Sequence, residues 1–429
     1  SEVKVLMIGE KPLISSTIAG ILSHGKHSTR SGKSSHCKVH EFKGKFLGKN
    51  ASFRVTSVIG HVYSIDFPQE FQNRQKVDPV TLFTAPTIKK EAKPEARIAA
   101  HLKKEAKGCD YLVLWLDCDR EGENICFEVI GCTKKFLNKN NGKQIYRAKF
   151  SSLAPVDIQR AMDNLGEPNE NESLSVDARQ EIDLKVGVAF SRFQTQHFQG
   201  KYGNLDSHLI SYGPCQTPTL GFCVDRHDEI QTFTPESFWY IAPTVDIKTF
   251  HIDLEWSRKR VFDHSIGDLF LSIIQASPEA KLESCVVKDG ASQRPKPLNT
   301  VELLKIASKQ LGMGPHTTMV NAERLYTQGY ISYPRTETTK YPKNFNLQQV
   351  LQEHRNSPNW GAHSGLLLES NVSVPTGGVD AGDHPPITPM RLATEGQLDG
   401  GMWRLYEYIT RHFLGTVSPN CRYKKTKLT

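Results

Sequence analysis

What this sequence lacks narrows it first. No apolar run approaches the roughly 18 residues that a membrane-crossing helix needs. The opening Ser1-Glu2-Val3-Lys4-Val5 reads as the start of a strand. It has no apolar core followed by a small-residue cleavage site, so nothing in it points to secretion. Nine cysteines are an odd number, and no two stand as C-x-x-C. That leaves neither a zinc-site spacing nor a disulfide framework, and it fits a reducing compartment, nucleus or cytoplasm. The phosphate loop G-x-x-x-x-G-K-[ST] is also missing, which argues against chemistry driven by nucleotide hydrolysis on such a loop. No unit repeats at a fixed period.

The 429 residues are 38% hydrophobic and 23% charged, enough for about two to four soluble domains. Lys and Arg number 54 against 46 Asp and Glu, a net +8. That excess agrees with a polyanionic partner without requiring one. Clusters such as Lys103-Lys104, Lys134-Lys135 and Lys424-Lys425 read first as solvated faces.

The hydrophobic pattern alternates strands with helices over about the first 150 residues. Val3 to Ile8 and Phe53 to Val58 read as strands, and Ser15 to Leu22 and Ile98 to Lys107 as helices. His24 to Lys38, rich in Ser, Gly and Lys, reads as a loop. Tyr111 to Leu116 is a continuous apolar run of strand length, the pattern of a central parallel strand covered on both faces. A helix begins near Gly122. Ser173 to Phe198 reads as one long helix and Thr217 to Arg226 as another, while Phe238 to Phe262 has β composition. Thr300 to Leu311 and Thr317 to Thr327 are helices split by a Gly-Met-Gly-Pro turn and followed by a strand-like Tyr330-Ile331-Ser332. Asn371 to Pro389 is loop-like, Leu405 to Leu414 helical, and Ser418 to Thr429 strand-like.

Asp117-Cys118-Asp119-Arg120-Glu121-Gly122-Glu123 follows the buried strand directly, and Glu10 follows the first strand. Ligands of parallel α/β sheets bind at the carboxyl ends of the strands. Carboxylates crowded there repel unless a cation sits among them, and hard oxygen donors suit Mg²⁺ shared with a phosphate. An acidic turn capping a helix N-terminus is the plainer reading; the position after two separate strands favours the metal. The Glu…Asp-x-Asp-x-Glu pattern resembles the TOPRIM domain of topoisomerases, primases and some nucleases.

Gly329-Tyr330-Ile331-Ser332-Tyr333-Pro334-Arg335-Thr336-Glu337-Thr338 is the most specific stretch. Pro334 holds Tyr333 extended, and Arg335, two residues on, is expected on the same side. A phenol ionises near pH 10 and attacks poorly when neutral. A neighbouring guanidinium is expected to favour the phenolate and an attacked phosphate. Tyr326 and Tyr330 read equally well as core residues.

The full string resembles the active-site segment of type IA topoisomerases, and the resemblance spans essentially the whole chain. Gly9 to Pro12, Thr56 to His61 and Asp117 to Asn124 are similar to the family's TOPRIM motifs. Val176 to Leu184 and Phe190 to Thr195 are similar to its strand-binding helix, Ile210 to Leu220 to its G-x-x-Q-T-P-T-L segment, and Ala381 to Ile387 to its H-P-P motif. Several variants are most like the eukaryotic beta-type topoisomerase III branch.

The resemblance implies Tyr333 as nucleophile, Arg335 and Lys11 on the scissile phosphate, Glu10 exchanging a proton with the 3′-hydroxyl, and His384 assisting. It implies Mg²⁺, with Mn²⁺ as the alternative and no ATP, on Asp117, Asp119, Glu121 and Glu10. Arg179, Arg192, Gln194, Gln216, Thr217 and His61 would line a groove for single-stranded DNA, with RNA as a second substrate. Arg179 pairing with Asp183, and Gln216 bracing a turn, stand as the plainer alternatives. A Tudor-domain scaffold protein is the implied partner. Cys215 departs from the arginine of bacterial relatives.

The implied architecture is multidomain and toroidal: an α/β TOPRIM domain, mainly α winged-helix-like domains and a β arch. Its segments are expected at 1–158 (TOPRIM), 159–222 (strand-binding, helical), 223–262 (β arch), 263–405 (tyrosine-bearing, winged-helix-like) and 406–429 (return into the arch). The family's ring closes with further segments, so the chain is expected to be a fragment with its ring incomplete. A metal-dependent nuclease or primase, and a binding scaffold without catalysis, are the competing readings; the Tyr-Pro-Arg string weighs against both.

Overall fold

The computed structural model describes residues 2–139, 142–203, 208–370 and 372–429. Ser1 and Asn371, where an expected strand and loop begin, lie outside the described residues. The chain divides into two compact units, 2–212 with 293–419, and 213–292 with 420–429. This partition is coarser than the five expected segments. It also puts 263–292, expected with the tyrosine-bearing segment, into the smaller unit.

The larger unit opens on β1 (Val3–Gly9), α1 (Pro12–Leu22), β2 (Ser28–Ser31), β3 (Lys38–Phe46) and β4 (Lys49–Ser57). A short hairpin of β5 (Tyr63–Asp66) and β6 (Ile88–Glu91) precedes α2 (Ile98–Ala106), β7 (Tyr111–Trp115), α3 (Arg120–Thr133), β8 (Ile145–Arg147), α4 (Pro155–Asp163) and the long α5 (Glu170–Phe198). The main sheet has the order β2-β3-β4-β1-β7-β8. β1 runs parallel to both β4 and β7, and β7 parallel to β8. The 24–38 stretch expected as a loop holds β2, which pairs antiparallel with β3.

Side chains alternate along each strand, and the cores follow that period. Val5, Met7, Val113 and Trp115 join Ile14 and Ile18 of α1 on one face. Leu6, Ile8, Leu112 and Leu114 join Leu102 of α2 and Ile125 and Val129 of α3 on the other. The β1 and β7 runs are therefore apolar on both sides, as central parallel strands are.

The smaller unit contains α6 (Gln216–Thr232), β9 (Thr244–Ile247), β10 (Phe250–Asp253), α7 (His264–Ala276), β11 (Cys285–Ser292) and β12 (Cys421–Leu428). β9 pairs with β10, and β11 with β12, both antiparallel. The larger unit resumes with α8 (Thr300–Leu311), α9 (Pro315–Thr327), α10 (Leu347–His354), α11 (Gly361–Glu369) and α12 (Gly400–Val417). Leu325, Tyr326, Tyr333 and Leu405 from this part share one core with Val5 and Trp115. The return is thereby packed against the α1 face of the sheet. Tyr330 to Ser332, expected as a strand, makes a single bridge, Ile331 to Pro389. Among the described residues no helix is long and apolar enough to cross a membrane.

Candidate active site

β1 and β7 are register neighbours, with Gly9 opposite Trp115. Glu10 and Asp117 thus leave the same edge of the sheet. The Asp117 amide donates to Glu10 Oε2 at 3.0 Å, and Asp117 is buried. Asp119 caps α3, its Oδ1 accepting from the Gly122 amide at 2.7 Å. The turn between them is tight: a Cβ on Gly122 would stand 1.9 Å from the Asp117 carbonyl oxygen. Only glycine fits there.

Behind this loop lies a buried ion pair that sequence reasoning missed. Arg147, at the end of β8, donates from Nε to Glu123 Oε1 at 2.8 Å. Its Nη1 reaches the Leu116 carbonyl at 2.7 Å, and its Nη2 the Asp117 carbonyl at 2.9 Å. Glu123 Oε2 accepts the Asn169 amide at 2.9 Å, just before α5. One guanidinium therefore braces the acidic loop by its backbone.

Tyr333 comes from the other end of the larger unit and meets this loop. Its amide donates to the Ser151 carbonyl at 2.9 Å, and its hydroxyl donates to Asp119 Oδ2 at 2.5 Å. Tyr326, seven residues earlier on α9, donates its hydroxyl to Asp117 Oδ1 at 2.9 Å. His384 packs its ring 4.4 Å from that of Tyr333 and shares a 3.1 Å hydrogen bond with Ser151 Oγ through Nδ1. Asp383 fixes the segment after Tyr333, accepting from Thr336 Oγ1 at 3.0 Å and the Glu337 amide at 2.8 Å. Nothing in the sequence distinguished Tyr326, Ser151 or Asp383 as partners of this site.

The electrostatics follow from crowding acids in a dry place. Burial first, then the Asp117 charge, pushes the Glu10 carboxyl up to about 8 against the pull of Lys11. Burial also raises Asp117, and Lys11 again opposes it. Lys11 stands at the start of α1, half-buried, with its charge felt by both acids. Burial, then Asp117 and Asp119, hold the Tyr333 phenol far above its ordinary range. Burial lowers His384 to about 4, so its ring is neutral at pH 7.

Two expected site residues have other partners in this arrangement. Arg335 was expected to favour the Tyr333 phenolate; its guanidinium is paired with Glu323 on α9, Nε to Oε1 at 3.1 Å, and its charge also feels Tyr333. The acids outweigh it, and Tyr333 is a neutral donor in this arrangement. Glu121 was expected among the metal ligands; its carboxylate pairs with His61 Nε2 at 2.9 Å and with Arg179. Those two bonds and a third from His61 to Glu128 at 3.2 Å tie α3, α5 and the loop after β4 together, and within α5 Arg179 also pairs with Asp183 at 3.2 Å.

Among the described residues no group of three or more His, Cys, Asp and Glu stands ready around a common metal point. Asp117 and Asp119 each accept a hydrogen bond from a phenol, and Glu121 is paired with His61 and Arg179. The chemistry of the donors still fits a hard dication. Oxygen donors are gathered at one edge, and burial first, with the charge of neighbouring acids behind it, raises Glu10 and Asp117, a cost that a cation relieves.

The remaining candidates are scattered. Arg192 is buried on α5, with no hydrogen-bond partner for Nε or Nη1, and burial and the nearby Arg74 both disfavour its charge. Gln194 is half-buried on the same helix. Gln216 and Thr217 open α6 in the smaller unit, where the Gly213 amide donates to Thr217 Oγ1 at 3.3 Å and Gln216 packs on Gly213. Cys215 is exposed.

A mixed sheet with parallel central strands and an acidic edge, faced by a buried tyrosine from a following helical region, defines a Toprim protein of the tyrosine-bearing kind. Residues 5–153 match the Toprim domain and residues 167–429 match the DNA topoisomerase family. The chain belongs to the type IA DNA topoisomerase family. It is 56% identical over 425 residues to DNA topoisomerase 3-beta of Arabidopsis thaliana, covering 99% of this chain and 49% of that one. It is 54% identical to DNA topoisomerase 3-beta-1 of Homo sapiens (99% and 50% covered) and 40% identical to the human DNA topoisomerase 3-alpha (99% and 42%). The chain spans about half the length of the curated relatives it matches. The full-length topoisomerase I structure from Thermotoga maritima superposes with a TM-score of 0.68 at 24% identity, covering 99% of this chain and 62% of that one, a likeness of fold.

Proposed function

We propose that this chain cuts and rejoins one strand of a nucleic acid through Tyr333, with a 5′-phosphotyrosine as the intermediate. The observation that carries the reading is the 2.5 Å hydrogen bond from the Tyr333 hydroxyl to Asp119, inside the acid cluster. Tyr333 Oη bonds to phosphorus, and the bond from phosphorus to the 3′-oxygen breaks. The phenol proton passes to Asp119, and Glu10, raised to about 8, gives its proton to the departing 3′-oxygen. Reversal returns both protons and reseals the strand. The bond energy stays in the phosphotyrosine, so no ATP is needed.

Lys11 offsets phosphate charge beside Glu10, and the neutral His384 ring holds Tyr333 from one side. Mg²⁺, with Mn²⁺ as the alternative, is the ion that Asp117, Asp119 and Glu10 would hold, supplying positive charge to the phosphate oxygens. The strand passage that relaxes negative supercoils and decatenates belongs to the same reading. So do action on RNA beside DNA, a Tudor-domain partner, and work in the nucleus and cytoplasm. These rest on the resemblance to beta-type relatives.

The test is a 5′-labelled and 3′-labelled pair of single-stranded oligonucleotides, in DNA and RNA forms, incubated with Mg²⁺ and stopped with detergent. The expected product is protein linked to the 5′ end of the downstream fragment. Tyr333→Phe should bind the strand and give no adduct. An adduct that persists in Tyr333→Phe, or free 5′-phosphate ends with no protein attached, would sink the reading.

A further inference from the structure

Two phenols reach the acid cluster, and only one has a role so far. Tyr326 sits in the last turn of α9 and is 1% exposed. The Gly329 amide donates to the Tyr326 carbonyl at 2.8 Å, and the Tyr330 amide to the Leu325 carbonyl at 2.8 Å. Gly329 takes the left-handed conformation, φ 78°, that this reversal requires. The chain then doubles back and lays Tyr333 beside Tyr326, ring centroids 5.1 Å apart and planes at 72°. Edge-to-face contact of this kind fixes a ring's orientation.

The Tyr326 hydroxyl meanwhile holds Asp117 Oδ1 at 2.9 Å. The Asp117 amide and carboxyl also face Glu10. A buried carboxylate with one oxygen held by a neutral donor on a rigid helix keeps one orientation, and its other oxygen is presented to the cluster. Groups in this position behind a metal ligand set its direction and basicity. Tyr326 thus touches both halves of the site: the ligand Asp117 by its oxygen, and the nucleophile Tyr333 by its ring.

We propose that Tyr326 is a positioning residue, whose hydroxyl aims Asp117 at the divalent cation while its ring holds the Tyr333 ring opposite Asp119. This rests on the strand-cleaving reading above. Tyr326→Phe separates the two contributions, because it removes the oxygen and keeps the ring.

The experiment titrates Mn²⁺ into the whole chain without nucleic acid and follows free Mn²⁺ by electron paramagnetic resonance. The dissociation constant should rise about tenfold in Tyr326→Phe, the lower end of what lost outer ligands cause. In strand cleavage, the half-saturating Mg²⁺ concentration should rise in the same proportion, with the adduct yield recovered at saturating Mg²⁺. In an Asp117→Asn background, Tyr326→Phe should change Mn²⁺ binding no further. That background also tests the pair from its other side should Tyr326→Phe fold poorly. Equal Mn²⁺ affinity with and without the hydroxyl, or no Mn²⁺ binding by the unaltered chain, overturns the proposal. A Mn²⁺ difference in a chain that forms no adduct would leave Tyr326 in its role and remove the cleavage reading instead.

Discussion

The ion pair of Arg147 and Glu123 allows a quantitative test of how the acidic loop is held. Both side chains are essentially inaccessible, 0% and 2% exposed. Arg147→Met keeps much of the volume and removes the charge. It leaves the Glu123 carboxylate buried with only the Asn169 amide as donor, and it strips the Leu116 and Asp117 carbonyls of a partner. Breaking one side of a buried pair costs about 3–5 kcal/mol. Glu123→Leu, which strands the guanidinium, should cost a similar amount. In the double variant no charge is left unpaired. It should therefore be less destabilised than the sum of the two single losses, by about 2 kcal/mol.

The assay is urea unfolding of the single and double variants, followed by tryptophan fluorescence, since Trp115 is buried in β7. Hydrogen exchange at the Asp117 amide, which is bonded to Glu10, gives the local reading and should accelerate in both single variants. Losses that add within about 0.5 kcal/mol would mean the two residues act independently. An unchanged Asp117 amide would mean the pair does not brace the loop. Either result refutes the reasoning.

Two further outcomes follow from buried groups elsewhere. His354 accepts from Trp360 Nε1 at 3.1 Å through Nδ1 and faces the Pro389 carbonyl at 3.2 Å through Nε2, so the ring is neutral, and burial lowers it from 6.5 to about 4. A depressed folded value means this stability is complete above pH 6.5 and is lost as pH falls through 4. The full loss is about 3 kcal/mol, and it should be absent from the pH profile of unfolding in His354→Gln; identical profiles would contradict the assignment. Arg192, 6% exposed, is a buried cation with Nε and Nη1 unbonded. Arg192→Met should raise the melting temperature by about 2 °C in the absence of nucleic acid and weaken single-strand binding at low salt, whereas a lower melting temperature would show that the guanidinium is already satisfied.

Much of this was legible in the residues, and the failures share one cause. The run Tyr111 to Leu116 gave β7 because a strand covered on both faces needs no polar alternation. Glu10 and Asp117 fell together because parallel neighbours end at one edge. The sequence misled where a partner far along the chain decided the outcome. β2 is polar and looked like loop, yet Arg30 on it is held by Glu41 of β3 at 3.0 Å and by Glu105 of α2. Tyr330 to Ser332 has strand composition, but its neighbour carries Pro385, Pro386 and Pro389, which have no amide to extend a ladder.

The same cause governs the site, where local spacing put Arg335 beside Tyr333 and tertiary structure changed what it does there. An alternation of two positions is sound geometry for an extended segment, but it says nothing about which acid captures the guanidinium. Glu323 on α9 does so, and the phenol is left facing Asp117 and Asp119, whose charges oppose its ionisation. A tyrosine held this way is kept neutral by the acids that form the cluster. It follows that whatever draws charge off Asp117 and Asp119, a bound cation above all, also lowers the barrier to ionising Tyr333. On the proposed reading, cation binding and activation of Tyr333 would be coupled through two hydrogen bonds, Tyr326 to Asp117 and Tyr333 to Asp119.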